Sequence, residues 1–293
     1  WGDLAAVRWD DPGVCDALGA WWADWARKHA DLGVDGFRAD AAYQVPADVW
    51  STVIAGARGG RADVAFFAET LGCTPEEVEA LTPAGFDYIF NSAKWWDFQA
   101  EWFLEQYERF RHIAPSIAFP ESHDTPRLAA EVPADAPTEQ LYRQRYLFSC
   151  VASTGVMMPL GFEWGFMRAL DVVETMPEHW EQGQFDISGF VAAANRMKEG
   201  LATLNEEGPQ HRIDFTGGQV VGLLRRRDGR GDWVLTLINT DPHQGRTVYL
   251  DEVEGADLSG GVEVTPERPS APLDPDGPVA LEPAGIRVFA HPG

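Results

Sequence analysis

The chain has 293 residues, enough for one large domain and a small one. Hydrophobic residues make up 45% of it and aromatic residues 12%, a composition that excludes a disordered chain. The net charge of −23 argues against nucleic acid or an anionic membrane surface as a partner. Cys15, Cys73 and Cys150 lie far apart with no CxxC spacing, so neither a disulfide framework nor a zinc site is expected. No run of 18 apolar residues is long enough to span a membrane.

The chain opens on Trp1 with no Met and no signal-like segment, and reads as the later part of something longer. Residues 11–33 predict a helix: Asp11 caps, Pro12 suits the first turn, Gly33 ends it, and Leu18, Trp21, Trp22 and Trp25 mark an apolar face expected to be core. Short apolar runs at Val34–Asp40, Val64–Glu69, Phe86–Asn91, Ser116–Phe119 and Val156–Leu160 predict five buried strands. Helices are expected between them at about Pro46–Arg58, Pro75–Leu81, Trp95–Arg111 and Thr138–Ser153, and after them at Ser188–Leu204. Strands spaced by 20–40 residues with intervening helices predict right-handed βαβ units and a parallel sheet. Five strands do not close an eight-stranded barrel, so either the sheet is open or three βα units precede Trp1. From about Gln210 the texture becomes β-rich, with turn signals at Asp228-Gly229 and Asp276-Gly277. This predicts an antiparallel β-sandwich. The expected domains are 1–208 and 209–293.

Three carboxylates end predicted strands: Asp40 in GVDGFRAD, Glu69 in VAFFAET and Asp124 in SIAFPESHD. The C-terminal ends of strands are where a β/α barrel carries its chemistry, and converging carboxyl groups suit acid/base and nucleophilic work on a glycosidic bond. GFRAD, FAET and SHD, in this order and followed by STGVMMPLGFE and a β-rich tail, resemble the α-amylase family of retaining glycoside hydrolases and transglycosylases. The resemblance implies a (β/α)8 TIM-type barrel, here only about strands 4–8, followed by the sandwich. It implies Asp40 as nucleophile, Glu69 as general acid/base and Asp124 as the third carboxylate, which orients sugar hydroxyls. Arg38 matches the arginine that partners the nucleophile, and His123 a histidine that binds sugar hydroxyls. Tyr43 stands where many members carry an aglycone-subsite residue. Trp95 and Trp96, just beyond a predicted strand, are read as aromatic cleft residues that bind substrate, and Trp164 as a further candidate. Glu121 is expected to pair with a neighbouring loop arginine rather than with substrate.

The family's earlier motif, an Asp and a His at the end of barrel strand three, has no counterpart in residues 1–293. A usual calcium ligand goes with it, so no cofactor or metal is required by the sequence, although a structural calcium ion is compatible with the family. The expected partners are an oligo- or polysaccharide substrate and the missing N-terminal barrel half, supplied by another chain or a second copy. Three other functions remain open: glycosyl transfer of the maltosyltransferase type, glucan binding without turnover, and a different β/α-barrel enzyme in which these carboxylates hold a metal ion.

Overall fold

A computed structural model describes residues 5–253 and 257–291; the opening Trp1 lies outside them. The chain divides into two compact units. One runs to Asn91 and includes Arg109–Ser116; the other comprises Ser92–Glu108 and the chain from Ile117 onward.

The first unit alternates helix and strand. Helix α1 (Pro12–Asp31) starts where the Asp11 carboxylate accepts the Gly13 and Val14 N–H groups, with Pro12 in the first turn, as the sequence predicts. Strand β1 (Gly36–Ala39), helix α2 (Ala47–Arg58), strand β2 (Ala65–Ala68), helix α3 (Pro75–Glu79) and strand β3 (Tyr88–Phe90) follow. Strands β1 and β2 pair in parallel with Ala39 opposite Ala68, and β2 pairs in parallel with β3 with Ala68 opposite Ile89. Phe66, Ala68, Ile89, Val53 and Ile54 bury a common core with Ala26 and Ala30 of α1.

The buried face of α1 is not the one expected. Gly19, Ala26 and Ala30 are its buried residues, whereas Trp21, Trp22 and Trp25 are 56%, 43% and 36% exposed. The contact with α2 explains the reversal. A Cβ on Gly56 would lie 2.5 Å from the Ala23 Cβ, and one on Gly19 would touch Thr52 and Val49 at 3.6–3.8 Å. The two helices approach through small side chains, and an indole would not fit between them. Gly56→Ala is therefore expected to destabilise the protein by about 1–3 kcal/mol by overpacking, despite alanine's better helix propensity. Chemical denaturation measures the loss, and an unchanged midpoint would contradict this contact.

Helix α4 (Trp102–Phe110) begins seven residues later than Trp95 because Asp97 accepts the Gln99 and Ala100 N–H groups and Phe98 takes a left-handed φ of +69°. Strand β4 (Ser116–Ala118), short helix α5 (Leu128–Glu131), helix α6 (Thr138–Ala152) and strand β5 (Gly155–Val156) come next. Strands β4 and β5 are parallel, with Ala118 opposite Val156. The helix expected over Ser188–Leu204 is two pieces, α7 (Ser188–Glu199) and α8 (Ala202–Asn205), separated at Gly200 and Leu201. The fold class is thus a set of five parallel strands with connecting helices, a partial barrel, followed by an antiparallel β-domain.

That domain holds strands β6 (Gln210–Asp214), β7 (Val220–Arg226), β8 (Trp233–Asn239), β9 (Arg246–Tyr249), β10 (Val262–Glu263), β11 (Pro278–Leu281) and β12 (Ile286–His291). One sheet runs β10-β12-β8-β7-β6, and β9 pairs with β11 in a second. Leu235, Leu237 and Phe289 of the first share a core with Val248, Val279 and Leu281 of the second. On the other face of the first sheet, Val221, Leu223, Val288 and Ala290 join Tyr146, Leu147 and Val151 of α6 in one hydrophobic cluster. The antiparallel strands begin at Gln210, near the expected boundary at 208/209, but packing makes them one unit with β4, β5 and α6.

Two buried basic side chains brace the end of α6, and burial pulls the pKa of one of them, Lys198, down to about 7. Lys198 Nζ donates to the carbonyls of Cys150, Ser153 and Leu204 at 3.0, 2.7 and 2.6 Å. Arg225, on β7, donates to the carbonyls of Val151 and Glu206 and to Thr154 Oγ1. These bonds occupy carbonyls at the end of α6, which a helix leaves without intrahelical partners.

Candidate active site

Two carboxylates leave neighbouring strands of the first unit at the same level. Ala39 lies opposite Ala68, so Asp40 and Glu69 follow the paired ends of β1 and β2, and the Glu69 N–H donates to the Ala39 carbonyl at 2.9 Å. Arg38 Nη1 donates to Asp40 Oδ1 at 2.7 Å. The Asp40 side chain is 80% exposed, which makes this pair an orienting contact rather than a source of stability.

Glu69 is buried. Its Oε2 accepts the Ala41 N–H at 2.8 Å and its Oε1 the Leu71 N–H at 2.6 Å. Ala41 has a φ of +40°, a left-handed conformation that an alanine adopts at a cost of about 1–2 kcal/mol. The residue after Asp40 is therefore strained, and the Glu69 carboxylate holds its amide in place. Tyr43, half-buried in the turn after β1, packs on the core of this unit. Burial and then the Glu69 charge push its phenol pKa up.

Arg38 and Asp40 also line an open cavity of about 360 Å³ walled by Trp9, Trp22, Trp25, Phe37 and Trp50. Glu69 is not on that wall. Trp22 and Trp25, expected in the core, instead join Asp40 at this cavity. The alanine-rich opposite face of α1 was the signal that they point outward.

Asp124 and His123 belong to the second unit. His123 Nε2 lies 3.0 Å from Asp124 Oδ2. Their turn is closed by Ser122 N–H to Thr125 Oγ1 at 2.9 Å and Asp124 N–H to Ser122 Oγ at 3.2 Å. Glu121 pairs with a loop arginine, Arg127, at 2.7 Å, as anticipated.

The two adjacent tryptophans part company. Trp95 is 50% exposed and meets Phe119 edge-on, with 5.9 Å between ring centroids. Trp96 is 0% exposed, packs against Phe98, Phe103 and Phe148, and donates its indole N–H to the Ala100 carbonyl. Its assignment as a substrate-binding residue is therefore wrong: in a tight turn, consecutive side chains point to opposite sides, and Trp96 takes the inner one. Trp164 stacks in a cluster with Phe166 and the exposed Trp180. Among the described residues, no group of three or more His, Cys, Asp or Glu side chains is placed to hold a metal ion.

No protein-family model matches the chain. An α-1,4-glucan:maltose-1-phosphate maltosyltransferase from Burkholderia pseudomallei K96243 is 31% identical over 229 residues, which is 76% of this chain and 20% of that protein. One of the same name from Arcanobacterium haemolyticum is 25% identical over 300 residues, covering 85% of this chain and 40% of that protein. The chain thus spans between a fifth and two fifths of the length of the curated relatives it matches. In structure, an Anoxybacillus α-amylase superposes with a TM-score of 0.70 at 15% identity, covering 97% of this chain and 64% of that one. A cyclic α-maltosyl-(1→6)-maltose hydrolase from Arthrobacter globiformis, in complex with cyclic α-maltosyl-(1→6)-maltose, superposes with a TM-score of 0.67 at 19% identity, covering 96% and 61%.

The chain is an α-amylase-family relative. The five parallel strands and the antiparallel domain behind them are the α-amylase fold over the part that the chain spans. At 15–19% identity the structural likeness speaks for that fold alone, and the maltosyltransferase activity is that of relatives much longer than this chain.

Proposed function

We propose that the chain carries the catalytic carboxylates of a retaining enzyme acting on α-glucosidic linkages. One observation carries this reading: Asp40, oriented by Arg38, and Glu69 end adjacent parallel strands in register, with a strained Ala41 locked between them by the Glu69 carboxylate.

Asp40 attacks the anomeric carbon as the bond from that carbon to the leaving oxygen breaks, and Glu69 gives its proton to that oxygen. A sugar ester on Asp40 results. Water or a sugar hydroxyl then attacks the same carbon, Glu69 takes its proton, and the Asp40 carboxylate departs. Two inversions retain the anomeric configuration. Each Glu69 oxygen accepts one backbone N–H group in the present arrangement and keeps a second lone pair on which the donated proton can sit. His123 and Asp124 bind sugar hydroxyls, and the half-exposed Trp95 offers a ring face to a pyranose. The tryptophan-lined cavity beside Asp40 has the volume of a small-ligand site.

The acceptor, water or sugar, separates a hydrolase from a transferase. Transfer of a maltosyl unit is the second reading, favoured by the 31% identity to a maltosyltransferase. Incubating the protein with maltooligosaccharides, and separately with maltose 1-phosphate plus an acceptor glucan, decides among these when products are followed by time-resolved NMR. Formation of the α-anomer first supports the retaining reading. Glucan binding without turnover on either substrate would replace it with a binding module.

A further inference from the structure

The loop that carries His123 and Asp124 is fastened at its base by one buried ion pair. Glu121 is 0% exposed and Arg127 2%, and Arg127 Nη1 donates to Glu121 Oε1 at 2.7 Å. Glu121 Oε2 accepts the Leu128 N–H at 2.6 Å. A single carboxylate therefore closes the loop onto the start of α5, with the Ser122–Thr125 turn above it. The guanidinium does more than neutralise that carboxylate. Its Nη2 donates to the Leu160 carbonyl at 2.9 Å and its Nε to the Arg168 carbonyl at 3.0 Å, both on the segment that follows β5. Three donors of one planar fork thus reach three acceptors on two different loops.

The second loop is shaped around these bonds. Gly161 and Gly165 have φ of +92° and +64°, and a Cβ on either would fall 2.3 Å from the Phe166 ring or 2.5 Å from the Phe185 ring. Glu181 accepts the Met167 and Arg168 N–H groups, so the Arg168 peptide is held from both sides. Burying an ion pair generally stabilises a protein no more than well-packed apolar side chains of similar volume, because desolvation offsets the attraction. What apolar side chains cannot supply is directional bonding to both loops at once.

We propose that Arg127, held by Glu121, is a positioning residue that sets the Asp124 loop in register with the loop after β5. This rests on the reading of Asp124 as a carboxylate that meets substrate. Arg127 touches no substrate itself; it fixes where the Asp124 side chain starts from. A displacement of about 1 Å at such a group lowers turnover roughly 100-fold.

The test compares wild type with Glu121→Leu/Arg127→Met, which leaves no buried charge, and with Arg127→Lys, which keeps a charge opposite Glu121 but offers one nitrogen in place of the three that reach Glu121, Leu160 and Arg168. Hydrogen–deuterium exchange, thermal unfolding and steady-state kinetics on maltooligosaccharides are read for each. For the double variant the expected result is an unfolding midpoint close to wild type and faster exchange in both 120–126 and 159–169. Its kcat should fall about 100-fold, with KM changed far less. Arg127→Lys should show the same exchange pattern and a smaller fall in kcat, and it decides the matter if the double variant does not fold. An active wild type whose variants keep kcat within threefold, or whose exchange rises in only one of the two loops, overturns the proposal and leaves the functional reading standing. A wild type with no turnover on any α-glucan overturns the functional reading instead, and with it the catalytic role given to Arg127.

Discussion

Asp40→Asn is expected to abolish turnover of an α-glucan, lowering kcat by roughly 10⁴- to 10⁶-fold, the scale on which removal of a covalent nucleophile acts. The fold should not register the change. The Asp40 side chain is 80% exposed and its pairing with Arg38 is a surface contact, so the unfolding free energy should move by less than about 0.5 kcal/mol. Chemistry and stability are thereby separated in one variant. Glu69→Gln gives the complement: with an α-glycosyl fluoride, whose leaving group needs no proton, the first step should survive far better than with a maltooligosaccharide. Asparagine at 40 with undiminished kcat would remove Asp40 from the mechanism. Loss of activity accompanied by an equally large loss of stability would mean that the Asp40 carboxylate is a structural group.

Trp96→Ala should produce the largest loss of stability, about 3–5 kcal/mol, because a fully buried indole is removed from an aromatic cluster that cannot collapse around the void. A typical domain has only about 5–15 kcal/mol in total, so the variant should unfold at a markedly lower temperature or denaturant concentration. Its neighbour supplies the control. Trp95→Ala, half-exposed and touching Phe119 only edge-on, should leave the unfolding midpoint within a few degrees while raising KM for oligosaccharides. Both variants are read by thermal unfolding and initial-rate kinetics. The reverse pattern, a stable Trp96 variant with a high KM, would return Trp96 to the cleft.

The order of elements was legible because each strand is a compact apolar run and α1 has its own start and stop signals. Asp11 and Pro12 begin α1 as read, and β1 and β2 lie within the expected ranges. Faces were harder to read than elements. On α1 the tryptophans dominate any apolar pattern, yet helix–helix approach is governed by what is small enough to fit, and Gly19, Ala23 and Ala26 fit. At Trp95 and Trp96 no periodicity exists to choose an inner residue, since a left-handed Phe98 and the Asp97 turn set the direction. Among the candidate site residues, the pairs formed by near neighbours in sequence, Arg38 with Asp40 and His123 with Asp124, follow from strand and turn geometry. The bond from Ala41 N–H to Glu69 and the reach of Arg127 to Leu160 and Arg168 link residues 28 to 41 positions apart. No local pattern encodes such contacts.

Arg225 gives the antiparallel domain a mechanical role. It reaches back from β7 to the tail of α6, which Lys198 Nζ ties in turn to Leu204, the last helical stretch before the first antiparallel strand. Swinging the domain about residues 205–209 would strip the buried Arg225 guanidinium of the Val151 carbonyl and the Thr154 hydroxyl, a penalty of several kcal/mol. The connection is therefore a weld, and motion arising in the sandwich would pass directly into β5 and the segment beyond it.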